Sequence, residues 1–404
     1  MATTTAARPD LDPHDFLALD ALLDDEERAI RDTVRQFVRE RVLPEVGDWF
    51  EQGILPREVI QELAKLGLFG MHLEGYGLPG ASATAYGLTC LELEAGDSGV
   101  RSVVSVQGSL AMFAIWRWGS EEQKERWLPA MHRGDAIGCF GLTEPDAGSD
   151  PGTMRTHARR DGDDWVLNGR KCFISGVDQA DQLLVVARTA DEATGRLIPA
   201  LFLVPTDAPG LEYKKIEMEI VSPENQFQLF LDDVRVPAAG LIGGSADAGL
   251  PALFSGLNPE RITVAAMGAG TARYALGKAS KYVATRNVWG RPIGAHQGVA
   301  HQLAHAYVQV ELARLAIAKA ASRYDAGRDL EAGVAANLAK YAASEASTLA
   351  VDTAIQVHGG NGMTTEYGVA TLLGGARAGR IAPVSREMIL NFIAQHVLGQ
   401  EKSY

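Results

Sequence analysis

Two adjacent charges sit in an otherwise apolar, small-residue stretch of the chain, Glu260 and Arg261 within Ser255-Gly256-Leu257-Asn258-Pro259-Glu260-Arg261-Ile262. A carboxylate in apolar surroundings resists ionisation, while a guanidinium and a helix N-terminus favour it. A glutamate balanced between those effects can take a proton from carbon as a general base. The bland alternative is a helix-end carboxylate or an ion-pair partner. Pro259 either opens a helix capped by Asn258 or kinks a longer one that runs through Leu250, Leu253 and Phe254. Arg101, in Asp97-Ser98-Gly99-Val100-Arg101-Ser102-Val103-Val104-Ser105-Val106-Gln107, also lies among small and apolar residues. A buried arginine needs an anion, which Asp97, Glu94 or a bound carboxylate could supply. Thr143-Glu144-Pro145-Asp146-Ala147-Gly148-Ser149-Asp150 is a Gly- and Asp-rich turn after an apolar run; taken alone it is no more than a turn.

The elements that must hold these residues fall into three zones. In the first, Ile30, Val34, Phe37 and Val38 repeat at helical spacing after Asp24 and Asp25. Pro56 opens a second helix with Val59, Ile60, Leu63 and Leu66 inward, stopped at Gly67. Ala81 to Ala95 reads as a buried helix. Ser120-Glu121-Glu122-Gln123 is a capping box. In the second zone, Cys139 to Leu142 is a short apolar run. Trp165-Val166-Leu167 and Cys172-Phe173-Ile174 flank Asn168-Gly169, which predicts a hairpin turning at Asn-Gly. Leu183–Ala187 and Ala200–Val204 read as buried strands, and Phe227, Leu229 and Leu231 as one strand face. In the third, Ala-rich stretches at 262–285, 297–325 and 332–357 read as long helices of a bundle. The expected fold class is therefore α+β, with an all-α domain over 1–135, a β-barrel or sandwich domain over 136–245 and a four-helix bundle over 246–404. Residues 1–22 read as an arm.

Composition excludes several classes. The net charge of −13 is interleaved rather than blocked, so no basic stripe offers phosphates a home and nucleic acid is not an expected partner. Cys90, Cys139 and Cys172 have no paired spacing, so neither a disulfide framework nor a metal site is expected. With a polar N-terminus and no long apolar run, the expectation is a cytoplasmic protein that does not enter a membrane.

Four segments in order resemble the acyl-CoA dehydrogenase family: Thr143 to Asp150, Asn168-Gly169-Arg170-Lys171-Cys172-Phe173-Ile174-Ser175, Arg286-Asn287-Val288-Trp289-Gly290 through His296-Gln297, and Gln356-Val357-His358-Gly359-Gly360-Asn361-Gly362. The resemblance implies the α–β–α order just described, FAD as cofactor and a homotetramer. It implies that Leu142, Thr143 and Ser149 meet the flavin ring, with Phe173 as its wall where many members carry Trp. Ser175 stands where Thr is usual near N5. Arg286, Gln297 and the Gln356, Gly359, Gly360 turn would hold the FAD of a neighbouring subunit. Phe140, Ile174, Trp289 and Ser385 complete the implied cofactor contacts. The first 155 residues resemble glutaryl-CoA dehydrogenase, in which Arg101 and Ser105 stand where the distal carboxylate of an acyl chain is gripped.

One departure bears on the chemistry. Most members place the catalytic base in a Tyr-Glu-Gly-Thr segment near the C-terminus. Counting from Glu366-Tyr367, the matching segment is Ala382-Pro383-Val384-Ser385, and Pro383 cannot take a proton. A subset resembling isovaleryl-CoA dehydrogenase carries the base on an earlier helix in a Leu-Glu-Arg setting, which Glu260-Arg261 matches. The implied reaction is α,β-dehydrogenation of a short acyl-CoA, carboxylated or branched. Glu260 is the base, and Asn258, Arg261, Ser149, Arg101 and Ser105 stand near substrate. The electrons would pass to an electron-transfer flavoprotein. A flavin oxidase or monooxygenase of the same superfamily, acting on a carrier-protein thioester, is the alternative. Glu387, one turn past Pro383, reads as a surface or flavin-edge residue.

Overall fold

The computed structural model describes residues 17–190, 194–219, 224–244 and 257–402, with the backbone alone at 257–259. The arm up to residue 16 and the stretch Leu250 to Gly256 lie outside the described residues. The first zone is helical: α1 (Asp25–Phe37), α2 (Val46–Gln52), α3 (Arg57–Lys65), α4 (Ala83–Glu94), α5 (Ser98–Ser105), α6 (Phe113–Trp118) and α7 (Glu121–His132). A two-strand ribbon of β1 (Glu74–Gly75) and β2 (Leu78–Pro79) interrupts it. Asp24 and Glu27 form a capping box at α1, and Ser120 and Gln123 form another at α7. Ten of the twelve α4 residues are buried, so this helix lies at the centre of the layer rather than on its surface. Between α5 and α6 the chain widens into a π-helical turn, Val106–Met112, a geometry frequent at functional sites.

The middle zone is one connected sheet. Its strands are β3 (Gly138–Gly141), β4 (His157–Asp161), β5 (Asp164–Ser175), β6 (Gln182–Ala190), β7 (Leu197–Pro205), β8 (Leu211–Lys215) and β9 (Gln226–Pro237). They run in the order β3-β6-β4-β5-β9-β8, with β7 on β6. The alternation of Phe227, Leu229 and Leu231 holds, all three being buried on β9. The hairpin expected at Asn168-Gly169 is corrected. Asn168 and Gly169 lie inside the continuous β5, at a register shift against β9 between Leu167 and Gly169. Gly169 has φ 152°, and a Cβ there would meet Thr156 at 2.4 Å, so the dipeptide permits a bulge and a close approach, not a turn. The reversal falls one step earlier, at Gly162 with φ 64°, between β4 and β5.

The third zone carries α8 (Leu257–Thr285), α9 (Gln297–Asp325) and α10 (Asp329–His358), with β10 (Asn287–Val288) and β11 (Arg291–Pro292) at the first connection. Two shorter helices follow, α11 (Leu372–Ala378) and α12 (Arg386–His396). Pro259 falls within the α8 range, next to Glu260. The described part of the helix begins at Leu257; the residues before it, which decide between a cap at Asn258 and a longer kinked helix, lie outside the described residues, as does the Asn258 side chain. α8 packs on α10, α9 and α4. The α4 contact is close: a Cβ on Gly270 would fall 2.4 Å from the Leu91 carbonyl oxygen, so glycine sets how near the two helices come.

Candidate active site

Glu260 is buried, 6% exposed, where the start of α8 meets α4 and the π-helical turn. Its Oε2 accepts from Ser109 Oγ at 2.5 Å and from Thr263 Oγ1 at 3.4 Å. Burial pushes its carboxyl above the usual range, against the Ser109 hydrogen bond, the Arg101 charge and the Thr263 hydroxyl. Arg101 lies in the same interior. Its Nε donates to Glu94 Oε2 at 3.0 Å and its Nη1 to Ser105 Oγ at 2.7 Å. Glu94 also accepts from Ser98 at 2.5 Å and from Thr271 of α8 at 2.9 Å. Of the partners left open for Arg101, the protein's own Glu94 is therefore engaged. Asp97 instead caps α5 by accepting from the Val100 N–H at 2.9 Å, and burial lifts its pKa to about 6. The structure thus brings Glu260, Arg101 and Ser105 into one buried network.

A second cluster fixes the Thr143 to Asp150 loop. Buried Glu144 accepts from the Arg155 N–H at 2.6 Å, the Thr156 N–H at 3.0 Å and Lys171 Nζ at 2.8 Å. Lys171 is fully buried and also donates to the Leu142 carbonyl at 2.9 Å, while Cys172 N–H donates to the Thr143 carbonyl at 2.9 Å. Leu142 and Thr143 are thereby held against Lys171 and Cys172, the residues that lead into Phe173, Ile174 and Ser175. Burial opposes the Glu144 charge, but the Arg155 N–H, Lys171 and Thr156 outweigh it and its pKa is lowered. Phe173 is 58% exposed at φ 56°, beside the register shift between Lys171 and Ile174. Ile174 is buried, and Phe140 and Leu142 are half-buried. Ser175 Oγ accepts from Gln226 at 2.8 Å and keeps its own proton for another acceptor. Ser149 is exposed.

The two clusters are linked. Gln107, on the π-helical turn with Ser109, donates to the Met131 and Ala136 carbonyls and accepts from the Gly138 N–H of β3 at 2.7 Å. The strand leading to Phe140 and Leu142 is thus keyed to the turn that touches Glu260.

The remaining residues lie elsewhere. Arg286, Trp289 and Gln297, exposed, surround the α8–α9 connection; Gln356, Gly359 and Gly360, also exposed, end α10. Tyr282 stacks on His358 at 4.3 Å and accepts from Asn361 at 3.0 Å, which joins the two groups at one end of the bundle. Ser385 caps α12, accepting from the Met388 N–H at 3.3 Å. Pro383 and Glu387 are exposed. Lys340 of α10, fully buried, donates to the Val384 carbonyl at 2.6 Å. Burial and the Arg261 charge lower its pKa to about 8. Arg261 is itself lowered to about 10 by burial. The Pro383 segment therefore reaches the neighbourhood of the helix that carries Glu260.

The chain matches the acyl-CoA dehydrogenase N-terminal domain over residues 24–135, the middle domain over 139–234 and the C-terminal domain over 247–398. It is 53% identical over 348 residues to acyl-CoA dehydrogenase FadE12 of Mycobacterium tuberculosis, covering 86% of this chain and 89% of that protein. This chain belongs to the acyl-CoA dehydrogenase family. It is also 34% identical to the glutaryl-CoA dehydrogenase of Desulfococcus multivorans, over 95% of this chain and 100% of that one. A solved glutaryl-CoA dehydrogenase from Mycobacterium smegmatis in complex with FADH2 superposes with a TM-score of 0.91 at 40% identity, covering 98% of this chain and 100% of that one.

Acyl-CoA dehydrogenases are FAD-dependent oxidoreductases, and the local chemistry here fits a flavin. Phe173 offers an aromatic face to solvent from a left-handed backbone that disfavours bulky residues. Ser175 offers a hydroxyl proton beside it, and the Glu144–Lys171 pair holds the loop opposite. The sequence reading did not single out Ser109, Tyr86, Gln226 or this Glu144–Lys171 pair, which the structure joins to the candidate residues. The pair had a visible signal, an acid and a lysine inside two motifs already singled out; Ser109 had only its helical spacing from Ser105. Among the described residues no helix is long and apolar enough to cross a membrane.

Proposed function

We propose that this protein dehydrogenates a short acyl-CoA thioester between its α- and β-carbons, with Glu260 as the base for the α-proton. The observation that carries the reading is Glu260 itself. It is a buried carboxylate with a raised pKa and few charge-stabilising partners, in a chain whose other candidate position is the exposed Pro383. Bound FAD supplies the acceptor for the β-hydride. Leu142, Thr143 and Ser149 would meet the ring, Phe173 would wall it, and Ser175 would donate near N5, with Phe140 and Ile174 behind. Arg286, Trp289, Gln297 and the Gln356, Gly359, Gly360 turn would serve the FAD of a neighbouring subunit in a homotetramer. Their exposure at the far end of the bundle supports that division. Ser385 would complete the cofactor contacts, and the start of α8, with Asn258 and Arg261, would line the approach of the thioester. The product is a 2,3-enoyl thioester, and an electron-transfer flavoprotein is the proposed electron acceptor.

The test is anaerobic titration of the purified FAD protein with butyryl-, isobutyryl-, isovaleryl- and glutaryl-CoA. At least one should bleach the flavin in the wild type. Glu260→Gln should bind the same thioester without bleaching. Bleaching that persists in Glu260→Gln removes the base assignment.

A further inference from the structure

Ser109 Oγ lies 2.5 Å from Glu260 Oε2 and 2.8 Å from the Ser105 carbonyl oxygen, one turn back on its own helix. A hydroxyl carries one proton, so it cannot donate fully to both. It does have lone pairs to accept with, and Tyr86 Oη stands 3.3 Å away as a donor, with the Val104 carbonyl at 3.3 Å as its other acceptor. Ser109 is 1% exposed and Tyr86 is 1% exposed, so these groups must satisfy one another.

Two arrangements close the network, one for each protonation state of Glu260. When Glu260 is ionised it has no proton to give, so the short contact requires the proton of Ser109. When Glu260 has taken up a proton, its carboxylic O–H donates to Ser109 Oγ, and the Ser109 proton turns to the Ser105 carbonyl. The oxygens stay where they are; only a hydroxyl hydrogen rotates.

We propose that Ser109 is the positioning residue of the base, its single proton alternating between the Glu260 carboxylate and the Ser105 carbonyl as Glu260 loses and gains a proton. The proposal rests on Glu260 being that base. A carboxylate that must change charge in a dry interior gains from a partner that donates to one form and accepts from the other. Alanine can do neither. Threonine can do both.

The groups facing Glu260 set what a pH profile reads. Tyr86 and Cys90 face it from α4 and Arg101 from α5, with Glu94 behind Arg101. Arg261 is the next residue on α8, and Lys340 lies beyond it on α10. Burial raises both Tyr86 and Cys90, so neither gains charge on the acid side of the profile.

The experiment measures kcat/KM against pH for wild type, Ser109→Ala and Ser109→Thr, using the acyl-CoA that bleaches best. Flavin absorbance and circular dichroism check each fold. In Ser109→Ala the acid limb should move to higher pH. Activity on that limb should fall about tenfold, the size expected for a lost hydrogen bond to an ionised group, and converge with wild type on the alkaline plateau. Ser109→Thr should restore the limb. A loss in Ser109→Ala equal at every pH would mark a merely structural serine and overturn the proposal, as would an unmoved limb. If Ser109→Ala fails to hold flavin, Tyr86→Phe carries the test: a smaller move in the same direction supports the proposal, and no move overturns it. The Glu260→Gln titration separates the two levels. Bleaching retained in Glu260→Gln defeats the base assignment itself, whereas bleaching lost there beside an unmoved Ser109→Ala limb defeats only the role of Ser109.

Discussion

Glu144 and Glu260 are both buried glutamates, each 6% exposed, and they are held in opposite ways. Glu144 receives two backbone N–H groups and a fully buried lysine, and its pKa is lowered. Glu260 receives a serine hydroxyl, a longer threonine contact and the charge of an arginine already bonded to Glu94, and its pKa is raised. Burial by itself does not make a carboxylate reactive. The number and charge of its donors decide whether it is a strut that stays ionised or a base that can change state. Here the strut holds the loop proposed to meet the flavin and the proposed base lies in the helical interior, with Gln107 tying the two regions together.

The largest effect expected from breaking this contrast is on the chemistry. Glu260→Gln keeps the shape and removes the basic oxygen. Its flavin should stay unbleached over the time in which the wild type bleaches, a fall in rate of roughly 10³-fold or more, within the range for loss of a general base, while the thioester still binds. The equivalent change at Glu144 should act on flavin retention first, because that carboxylate touches loop backbone and Lys171. A comparable fall in rate for Glu144→Gln with its flavin fully bound would erase the distinction.

Removing the partner of the strut comes next. Lys171→Met leaves Glu144 buried without its cation and should destabilise the fold by roughly 3–5 kcal/mol, the usual cost of stranding one member of a buried ion pair. Thermal unfolding of the flavin-free protein measures it. The double change Lys171→Met with Glu144→Gln should recover part of that loss, because no stranded charge remains. A loss below ~1 kcal/mol in the single variant would mean that the two backbone N–H groups suffice for Glu144.

Much of this was legible from residue order. The long Ala-rich helices at 257–285, 297–325 and 329–358 follow the stretches expected for them, because their composition leaves no competing structure. Ser120 caps its helix as its spacing implies, and Asp24, expected only to favour the positive end of its helix, caps it as well. The Asn168-Gly169 reading failed because a dipeptide that tolerates unusual φ serves a turn and a bulge equally well. Only the long-range pairing of β5 with β9, and the closeness of Thr156, decides between them. The same limit applies to the site. Pro383 and the Glu260-Arg261 pair could be read one residue at a time. The Ser109 contact spans 151 positions and the Glu94–Thr271 contact spans 177, and no local pattern encodes either.

The smallest expected effect tests the contrast through stability alone, and its two halves have opposite signs. Glu260 titrates above the ordinary glutamate value of 4.5 in the folded protein, so over that interval the folded state binds more protons than the unfolded one. Its stabilising contribution is present at low pH and is lost as pH rises through the folded pKa. Glu144 titrates below 4.5 when folded, so its contribution is present above that value and is lost as pH falls toward the folded pKa. The Tm of Glu260→Gln relative to wild type should therefore climb as pH rises from 4 to 8. The Tm deficit of Glu144→Gln should be full above pH ~5 and shrink on acidification below the ordinary glutamate range. Arg101 moderates the first trend by favouring the Glu260 anion, so Arg101→Met should steepen it. Parallel curves for the two glutamine variants would mean that both carboxylates are held alike, and the serine would then be too weak a distinction to separate a base from a strut.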